Sequence, residues 1–263
     1  MIIDSHVHLE EDELPLEGIL GAMDRAGVAK ACLIPATNDV VGPIHKGGTA
    51  IFHACMVLPP LRMKTYAAAL RRLKPRIHPE NEGVFNAARA HPDRLLPFAC
   101  VNPRFTAEAH EDLDRYLPEA KGVKLHLWLH RYRLPEALPI LKRVADAGVP
   151  VLAHLGFGPP EDVEIVLEKL PHLKLILAHA GIPHFEKLWA MKRLYFDTGS
   201  IGGLISRSAV HEMIGQVGTD RVIFGSDAPT ALRVGGRSGG DYAYNTPPLP
   251  ERALGDNLAS LLA

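Results

Sequence analysis

The chain has few cysteines, almost no net charge and no long apolar run, and each absence narrows the classes of protein it can belong to. Its 263 residues include three cysteines without a Cys-x-x-Cys pair, which argues against a disulfide framework and a thiolate metal site. The net charge of -1 gives no reason to expect nucleic acid or an anionic membrane as a partner. No apolar run approaches the ~18 residues of a membrane span, and no basic segment precedes an apolar core near Met1. We therefore expect a soluble, cytoplasmic protein.

Apolar runs alternate with helix-like segments along the whole sequence. Leu16 to Ala26 has helical spacing and is followed by Gly27, which is typical of a helix end. After a first strand at the N-terminus, the predicted strands cover 29–35, 95–101, 122–127, 149–154, 173–179, 194–198 and 222–225. With the helices between them and a closing helix over 251–262, the pattern predicts one α/β domain, residues 1–263, folded as a (β/α)8 TIM barrel.

An open, doubly wound sheet is the structural rival to the barrel. Such a sheet commonly carries a glycine-rich phosphate loop after its first strand, whereas this position holds Asp4-Ser-His-Val-His8. Two connections are longer than ordinary turns: an insertion over about 37–79, with a predicted helix around Lys64 to Leu73, and a segment over 228–250. Both are expected over the barrel mouth, the insertion as a lid or a subunit contact and the second segment as a substrate-closing element or a disordered surface loop.

Polar side chains end several of the apolar strands. His6 and His8 are two residues apart on the first strand, so both side chains share one face. Alone, this pair is equally typical of hydrogen-bonded or solvent-facing histidines. Further predicted strands end in the same way, however, at Lys124 and His126, at His154, at His179 and at Asp227. Because catalytic residues of such barrels lie at the C-terminal ends of the strands, the recurrence predicts a single metal site.

The donor set indicates the chemistry of that site. His6, His8, His154 and Asp227 could hold one divalent ion, most simply zinc, with manganese, iron or cobalt as alternatives. His179 is either a ligand of a second ion or a side chain that polarises the substrate. A divalent ion generates hydroxide from water at neutral pH, and Asp227 is the best candidate for the general base.

Basic residues near the fourth strand are candidates for substrate binding. Lys124 and His126 share strand parity and should both point into the barrel mouth. Lys124 has three competing roles: a carboxylated lysine that bridges two ions, a cation that binds a substrate carboxylate, which we prefer, or a structural partner of Asp227 or Asp4. Arg131 and Arg133 follow the strand and could bind an anionic group, although two solvated arginines are the more common finding.

In these motifs the chain resembles the amidohydrolase superfamily, in particular the amidohydrolase-2 family of metal-dependent hydrolases and nonoxidative decarboxylases. The motifs that carry the resemblance are Asp4-Ser-His-Val-His8, Gly122-Val-Lys-Leu-His126, Ala153-His154, Ala178-His179-Ala-Gly181, Phe224-Gly-Ser-Asp227 and Gly255-Asp-Asn-Leu-Ala-Ser-Leu-Leu262. The resemblance implies a distorted barrel with one or two divalent ions. It also implies that His6, His8, His154 and Asp227 are ligands, and that His179 is a ligand of a second ion or a catalytic side chain.

Three functions are compatible with this reading. The leading hypothesis is a metal-dependent hydrolase that uses a metal-activated water on an amide, lactone or ester of a small anionic molecule. The second is a metal-dependent nonoxidative decarboxylase of a small carboxylic acid, which would use almost the same ligands. The third is a non-catalytic barrel with structural histidines. Apolar residues in the insertion are compatible with a homodimer.

Overall fold

A sheet of parallel strands that closes on itself is the frame of the molecule. The computed structural model describes residues 1–10, 14–35, 38–40, 73–156, 158–182, 184–199, 206–229 and 249–263. Within these ranges, eight strands follow one another in chain order around the sheet. They are β1 (Ile2–Leu9), β2 (Val28–Pro35), β3 (Leu95–Cys100), β4 (Gly122–His126), β5 (Val151–His154), β6 (Leu175–Leu177), β7 (Leu194–Asp197) and β8 (Val222–Ile223). The predicted (β/α)8 TIM barrel is confirmed.

The barrel closes where the end of β8 meets β1. Ser5 N–H donates to Phe224 O at 3.0 Å, Asp227 N–H to His6 O at 2.8 Å, and His8 N–H to Ala228 O at 2.7 Å. These bonds run past the last residue of β8 and reach the C-terminal end of β1. The seam of the barrel therefore lies beside the predicted metal ligands.

Helices alternate with these strands on the outside of the barrel. Among the described residues, the α-helices are α1 (Leu16–Ala26), α2 (Asn81–Ala90), α3 (Thr106–Tyr116), α4 (Leu127–His130), α5 (Leu138–Asp146), α6 (Glu161–Lys169), α7 (Phe185–Trp189), α8 (Arg207–Val217) and α9 (Asn257–Leu262). Local chemistry sets their ends: Gly27 takes a left-handed φ of 68° after α1, and the Ser206 hydroxyl accepts the Ala209 N–H at the start of α8.

Short turns of other helical types modify the predicted elements. Helices with 3-10 geometry cover Leu134–Ala137, His179–Gly181 and Thr219–Arg221, and a π-helical turn covers Arg252–Asp256 before α9. The strand predicted over 173–179 is therefore shorter, and His179 lies in a turn two residues beyond β6. The strand predicted over 122–127 likewise ends one residue early, because α4 begins at Leu127.

Strand parity separates the apolar core into two layers. The barrel interior is filled by a cluster that includes Ile34, Phe98, Leu152, Ile176 and Ile223, all buried. Residues of opposite parity, such as those at 123, 125, 151 and 153, pack outward against the helices. Each large apolar side chain that is fully buried in this way contributes roughly 1.5–3 kcal/mol. The interior floor formed by the first group lies below the polar residues that end the same strands.

The insertion after β2 begins and ends at a pair of short strands. Asn38–Val40 pairs antiparallel with Leu73–Pro75. Residue 73, placed at the end of a predicted helix from Lys64, thus belongs to a strand, and the rest of that predicted helix lies outside the described residues. The same holds for 230–248 of the second long connection, so the predicted roles of both segments stay predictions. None of the described helices is long and apolar enough to cross a bilayer.

Candidate metal centre

Three predicted ligands converge at the barrel seam. His6 Nε2 lies 3.1 Å from His8 Nε2 and 3.3 Å from Asp227 Oδ1, and His8 Nε2 lies 3.5 Å from the same carboxylate oxygen. All three residues are buried. His6 and His8 meet because side chains two residues apart on β1 share a face. Asp227 reaches them because its left-handed backbone, with a φ of 60°, follows directly on the bonds that close the barrel.

The spacing of these donors fits a divalent ion. Ligand atoms about 2.0–2.1 Å from a tetrahedral zinc ion are separated by ~3.3 Å. The three measured separations are 3.1, 3.3 and 3.5 Å. Octahedral ligands at ~2.1–2.2 Å are separated by ~3.0–3.1 Å, so the spacing is compatible with both geometries. Two imidazoles and a carboxylate are suitable donors for zinc and for manganese.

The electrostatics keep His6 in the protonation state that a ligand needs. Burial, followed by the nearby Lys124 ammonium, lowers the pKa of His6 to about 4. Burial alone would raise the pKa of Asp227, but His6, His179 and His8 together hold it well below its ordinary value. At neutral pH this site therefore presents a neutral imidazole and an ionised carboxylate.

His154 and His179 form a second pair beside the first group. His179 Nε2 lies 3.0 Å from His154 Nδ1, and His179 Nδ1 lies 3.2 Å from Gly199 O. Because a carbonyl only accepts, the tautomer of His179 that fits Gly199 O carries its proton on Nδ1, and Nε2 of that tautomer accepts from His154 Nδ1. This arrangement leaves His154 Nε2 as a bare lone pair, the form that binds metal. Burial lowers the pKa of His154 well below its ordinary value.

His154 is close to the three converging donors without being part of their cluster. Within the described ranges, two groups of three donor atoms have all members within 4.8 Å of one another: His6, His8 and Asp227, and His6, His179 and Asp197. The pKa of His154 is nevertheless affected by Lys124, Asp227 and His6. His154 thus lies next to the donors His6, His8 and Asp227 and is hydrogen-bonded to His179.

His126 lies on the same face of β4 as Lys124, and the register of β4 on β5 sets the neighbours of both residues. Lys124 pairs with Leu152 and His126 with His154, and the two imidazole rings stack with centroids 4.2 Å apart. Leu129 N–H donates to His126 Nδ1 at 3.3 Å, so the proton of the neutral His126 ring is on Nε2. His126 therefore presents a hydrogen-bond donor.

Lys124 is buried and points into the centre. Its side chain is 1% exposed, and its Nζ lies 2.9 Å from His6 Nε2. Burial lowers the pKa of Lys124, whereas the carboxylates of Asp227 and Asp197 act in the opposite direction. Lys124 therefore contacts His6 directly, and Asp227 and Asp197 lie close enough to affect its pKa.

Of the two arginines after β4, Arg133 is bonded to a carboxylate on α6. Arg133 Nε donates to Asp162 Oδ2 at 3.0 Å, and a second bond from its Nη2 makes the contact bidentate. This contact joins the segment after α4 to the first turn of α6, where Asp162 is buried. Arg131 is exposed and has a left-handed φ of 60°. The geometry gives Arg133 a structural partner, and the substrate-binding role of both arginines stays a prediction.

Asp197 is the residue of this region that the sequence reasoning missed. It is the last residue of β7 and is fully buried. Its Oδ2 accepts the Nδ1–H of His6 at 2.7 Å, and its Oδ1 accepts the backbone N–H of His179 at 2.6 Å. The signal for it was present, since an apolar strand ends in a carboxylate here just as β8 is followed by Asp227.

Comparison with known proteins identifies the family. A family model described as Amidohydrolase, the amidohydrolase-2 type, matches residues 3–262. The chain belongs to the amidohydrolase-2 family. The resemblance inferred from the strand-end motifs is therefore confirmed over nearly the whole sequence. A search of curated proteins finds no match.

Solved structures share the barrel at low sequence identity. A proposed 2-pyrone-4,6-dicarboxylic acid hydrolase from Pseudomonas putida is 18% identical with a TM-score of 0.62, covering 99% of this chain and 97% of that one. A 4-oxalomesaconate hydratase from Rhodopseudomonas palustris is 14% identical with a TM-score of 0.58, covering 100% and 95%. A dihydroxybenzoic acid decarboxylase from a Polaromonas species, with bound manganese and an inhibitor, is 16% identical with a TM-score of 0.58, covering 99% and 96%. At these identities the likeness shows the fold alone.

Proposed function

We propose that this amidohydrolase-2 protein is a metal-dependent hydrolase that attacks an amide, lactone or ester bond of a small anionic substrate. The observation that carries the proposal is the convergence of His6 Nε2, His8 Nε2 and Asp227 Oδ1 within 3.5 Å of one another. These three residues are the proposed core of the ligand set. His154, with its bare Nε2, is the proposed fourth ligand.

A divalent ion held by these donors would lower the pKa of water from ~15.7 to ~7 and so supply a nucleophile at neutral pH. Asp227 is the proposed general base. Its carboxylate is ionised at neutral pH because the surrounding histidines lower its pKa. It can therefore take a proton from the attacking water and return it to the leaving group as the C–N or C–O bond breaks.

His179 is the proposed catalytic partner of this carboxylate. Its Nδ1 donates to Gly199 O and its Nε2 accepts from His154. With both nitrogens engaged in this way, the ring has no lone pair left for an ion. The hydrogen bonds therefore favour the catalytic role over the alternative, in which His179 is a ligand of a second ion. They also hold His154 in the tautomer that a ligand requires.

Lys124 and His126 are the proposed contacts for the anionic part of the substrate. Lys124 supplies a buried ammonium, and His126 supplies an Nε2–H donor beside it. The two alternate on β4 with Leu125, which packs outward, so both face the barrel mouth. A carboxylate that replaces water next to these donors gains charge-assisted hydrogen bonds in a site of low dielectric constant.

A nonoxidative decarboxylase is the second candidate, and the position of Lys124 is the observation that favours it. Its ammonium lies 2.9 Å from His6 Nε2, which would bring a bound substrate carboxylate next to the proposed ligands. In that reaction the bond between the carboxylate carbon and its neighbour breaks and carbon dioxide leaves. The electron pair on the remaining carbon then takes a proton that His179 or Asp227 has first accepted from solvent water.

Product analysis distinguishes these two reactions. Protein purified without added metal and then loaded with Zn²⁺ or Mn²⁺ is screened with lactones, amides, and aromatic or enoic acids, while released acid and released carbon dioxide are measured in parallel. The proposal predicts acid release that is lost on chelation and restored by the ion. Release of carbon dioxide would refute the hydrolase and support the lyase. Turnover that is unaffected by chelation would refute the dependence on a metal ion.

The role of Lys124 has its own test. In Lys124→Met, a substrate-binding ammonium predicts a KM raised at least about tenfold with an unchanged metal content. The surface variant Lys142→Met, which removes an ammonium paired with Asp146 at 2.7 Å, is the matched control and should leave both quantities unchanged. Loss of one metal equivalent in Lys124→Met would contradict the cationic role and support a carboxylated, bridging lysine.

A further inference from the structure

Asp197 has both carboxylate oxygens engaged at the centre of the site. Oδ2 accepts the Nδ1–H of His6 at 2.7 Å. Oδ1 accepts two backbone N–H groups, from His179 at 2.6 Å and from Gly199 at 2.9 Å. The residue is 0% exposed, and a buried carboxylate is tolerated only when its lone pairs are satisfied in this way. Asp197 thus connects β1, the turn after β6 and the segment after β7.

We propose that Asp197 is the positioning residue of the metal centre, fixing the tautomer of His6 and the turn that carries His179. This inference rests on the proposed function, because it assigns a role toward the ion that His6 would bind. It concerns a residue that would not touch the ion, the water or the substrate.

The tautomer of His6 follows from the chemistry of its partner. An ionised carboxylate has no proton to donate, so the hydrogen between Asp197 and His6 belongs to His6 Nδ1. The neutral ring then carries its lone pair on Nε2. That atom is the one that faces His8 at 3.1 Å and Asp227 at 3.3 Å. A histidine with the opposite tautomer would direct an N–H at the same point and could not bind an ion there.

The turn after β6 depends on the other oxygen of Asp197. His179 and Ala180 both have left-handed backbones, with φ of 55° and 56°, a conformation that is unfavourable for a residue with a Cβ. The bond from His179 N–H to Oδ1 holds this turn against β7. The conformation of this turn directs His179 Nε2 toward His154 Nδ1, which is 3.0 Å away. One carboxylate therefore sets the positions of a ligand and of the catalytic histidine.

The backbone around Asp197 leaves little room for another arrangement. A Cβ at Gly199 would lie 3.1 Å from Asp197 Oδ1, 3.1 Å from His179 Nδ1 and 3.2 Å from His6 Nδ1. His6, His179 and Asp197 do form a group of possible metal donors by distance. However, both oxygens of Asp197 already accept N–H groups, and His179 Nδ1 donates to Gly199 O. Hydrogen bonding, and not coordination, accounts for this group.

Asp197→Asn tests the proposal with a change of one atom. The amide oxygen can still accept from His179 and Gly199, but the amide nitrogen donates toward His6 Nδ1 and forces the proton onto Nε2. The matched control is Asp112→Asn, because Asp112 is also buried and faces a histidine Nδ1, that of His78, at 3.2 Å. Asp112 lies on α3, outside the centre.

The readout is the affinity of the metal-stripped, full-length protein for Zn²⁺, measured by competition with a chromophoric chelator. We expect Asp197→Asn to bind Zn²⁺ about 10–100-fold more weakly than wild type, and Asp112→Asn to bind it within about threefold of wild type. Equal affinities in Asp197→Asn and wild type would overturn the proposal. So would an equal loss in both variants, since that result would reflect the general cost of neutralising a buried carboxylate.

A second measurement needs no folded variant of Asp197. Two-bond ¹H–¹⁵N correlation spectra of the histidine rings in stripped wild-type protein, with His6 assigned by comparison with His6→Gln, should show its proton on Nδ1. A proton on Nε2 would overturn the proposal whatever the variants do. If wild-type protein takes up neither Zn²⁺ nor Mn²⁺, the proposed function fails, whereas the tautomer still decides whether Asp197 acts on His6 as stated.

Discussion

Mild acid should destabilise the metal-free protein because its buried histidines resist protonation. The pKa of His6 falls from 6.5 to about 4, mainly through burial and then through the Lys124 ammonium. A pKa lowered in the folded state means that the unfolded chain binds more protons between these two values. Stability is therefore present above pH 6.5 and is lost as pH falls toward 4.

The size of this effect follows from the pKa difference. Full protonation of His6 alone lowers the free energy of unfolding by about 3 kcal/mol, and about 2 kcal/mol of this loss falls between pH 7 and pH 5. The pKa values of His126 and His154 are also lowered, first of all by burial, so they add loss of the same sign. Asp197 and Asp227 have lowered pKa values and contribute loss only below their ordinary range near pH 4, outside this window.

Urea denaturation of stripped protein at several pH values between 7 and 5 measures the loss directly. His6→Asn is the informative comparison, because its side-chain amide can still donate to Asp197 but does not titrate. We expect the free energy of unfolding to fall by at least about 2 kcal/mol in wild type and distinctly less in the variant. A free energy that is constant over this range, or an equal decline in both proteins, would refute the reasoning.

Three further predictions concern the ligands, the core and an exposed position in a helix. Asp227→Asn should bind its metal with an affinity within about tenfold of wild type but lose at least about 10²-fold in turnover, whereas His6→Ala should lose the metal. Metal content and turnover rates of both variants check this prediction. Equal metal content in the two variants would contradict it. Gly122→Ala should lower the free energy of unfolding by about 1–3 kcal/mol, because a Cβ there would lie within 3.0 Å of three ring atoms of buried Phe98. Gly215→Ala in α8, where a Cβ meets nothing within 4 Å, should instead raise it by about 0.5–1 kcal/mol in the same denaturation assay.

The barrel and much of its site could be predicted because strand parity and strand ends are local properties of a sequence. A continuous apolar run marks a strand covered on both faces, and the residue that follows it lies at the barrel mouth. This logic placed His6 and His8 on one face of β1 and brought Lys124 and His126 to the interior. All four lie where parity predicts, although their chemical roles stay proposals.

Other features depend on contacts that no local pattern reveals. The bidentate bond between Arg133 and Asp162 joins residues 29 positions apart. Because the local sequence does not reveal this partner, Arg133 is a candidate for anion binding on sequence grounds. The left-handed turn at His179 and Ala180 carries no glycine at either position, and the backbone N–H of His179 is bonded to Asp197 on the next strand. Asp197 itself ends an apolar strand and was available to the same argument, which was not applied to β7.

An anomalous diffraction map tests the central claim most directly. Crystals of protein loaded with Zn²⁺ would be measured on both sides of the zinc absorption edge. The account predicts one strong peak about 2.0–2.2 Å from His6 Nε2, His8 Nε2 and Asp227 Oδ1 together. A peak held by other residues, or none at these three atoms in crystals whose protein contains zinc, would contradict it.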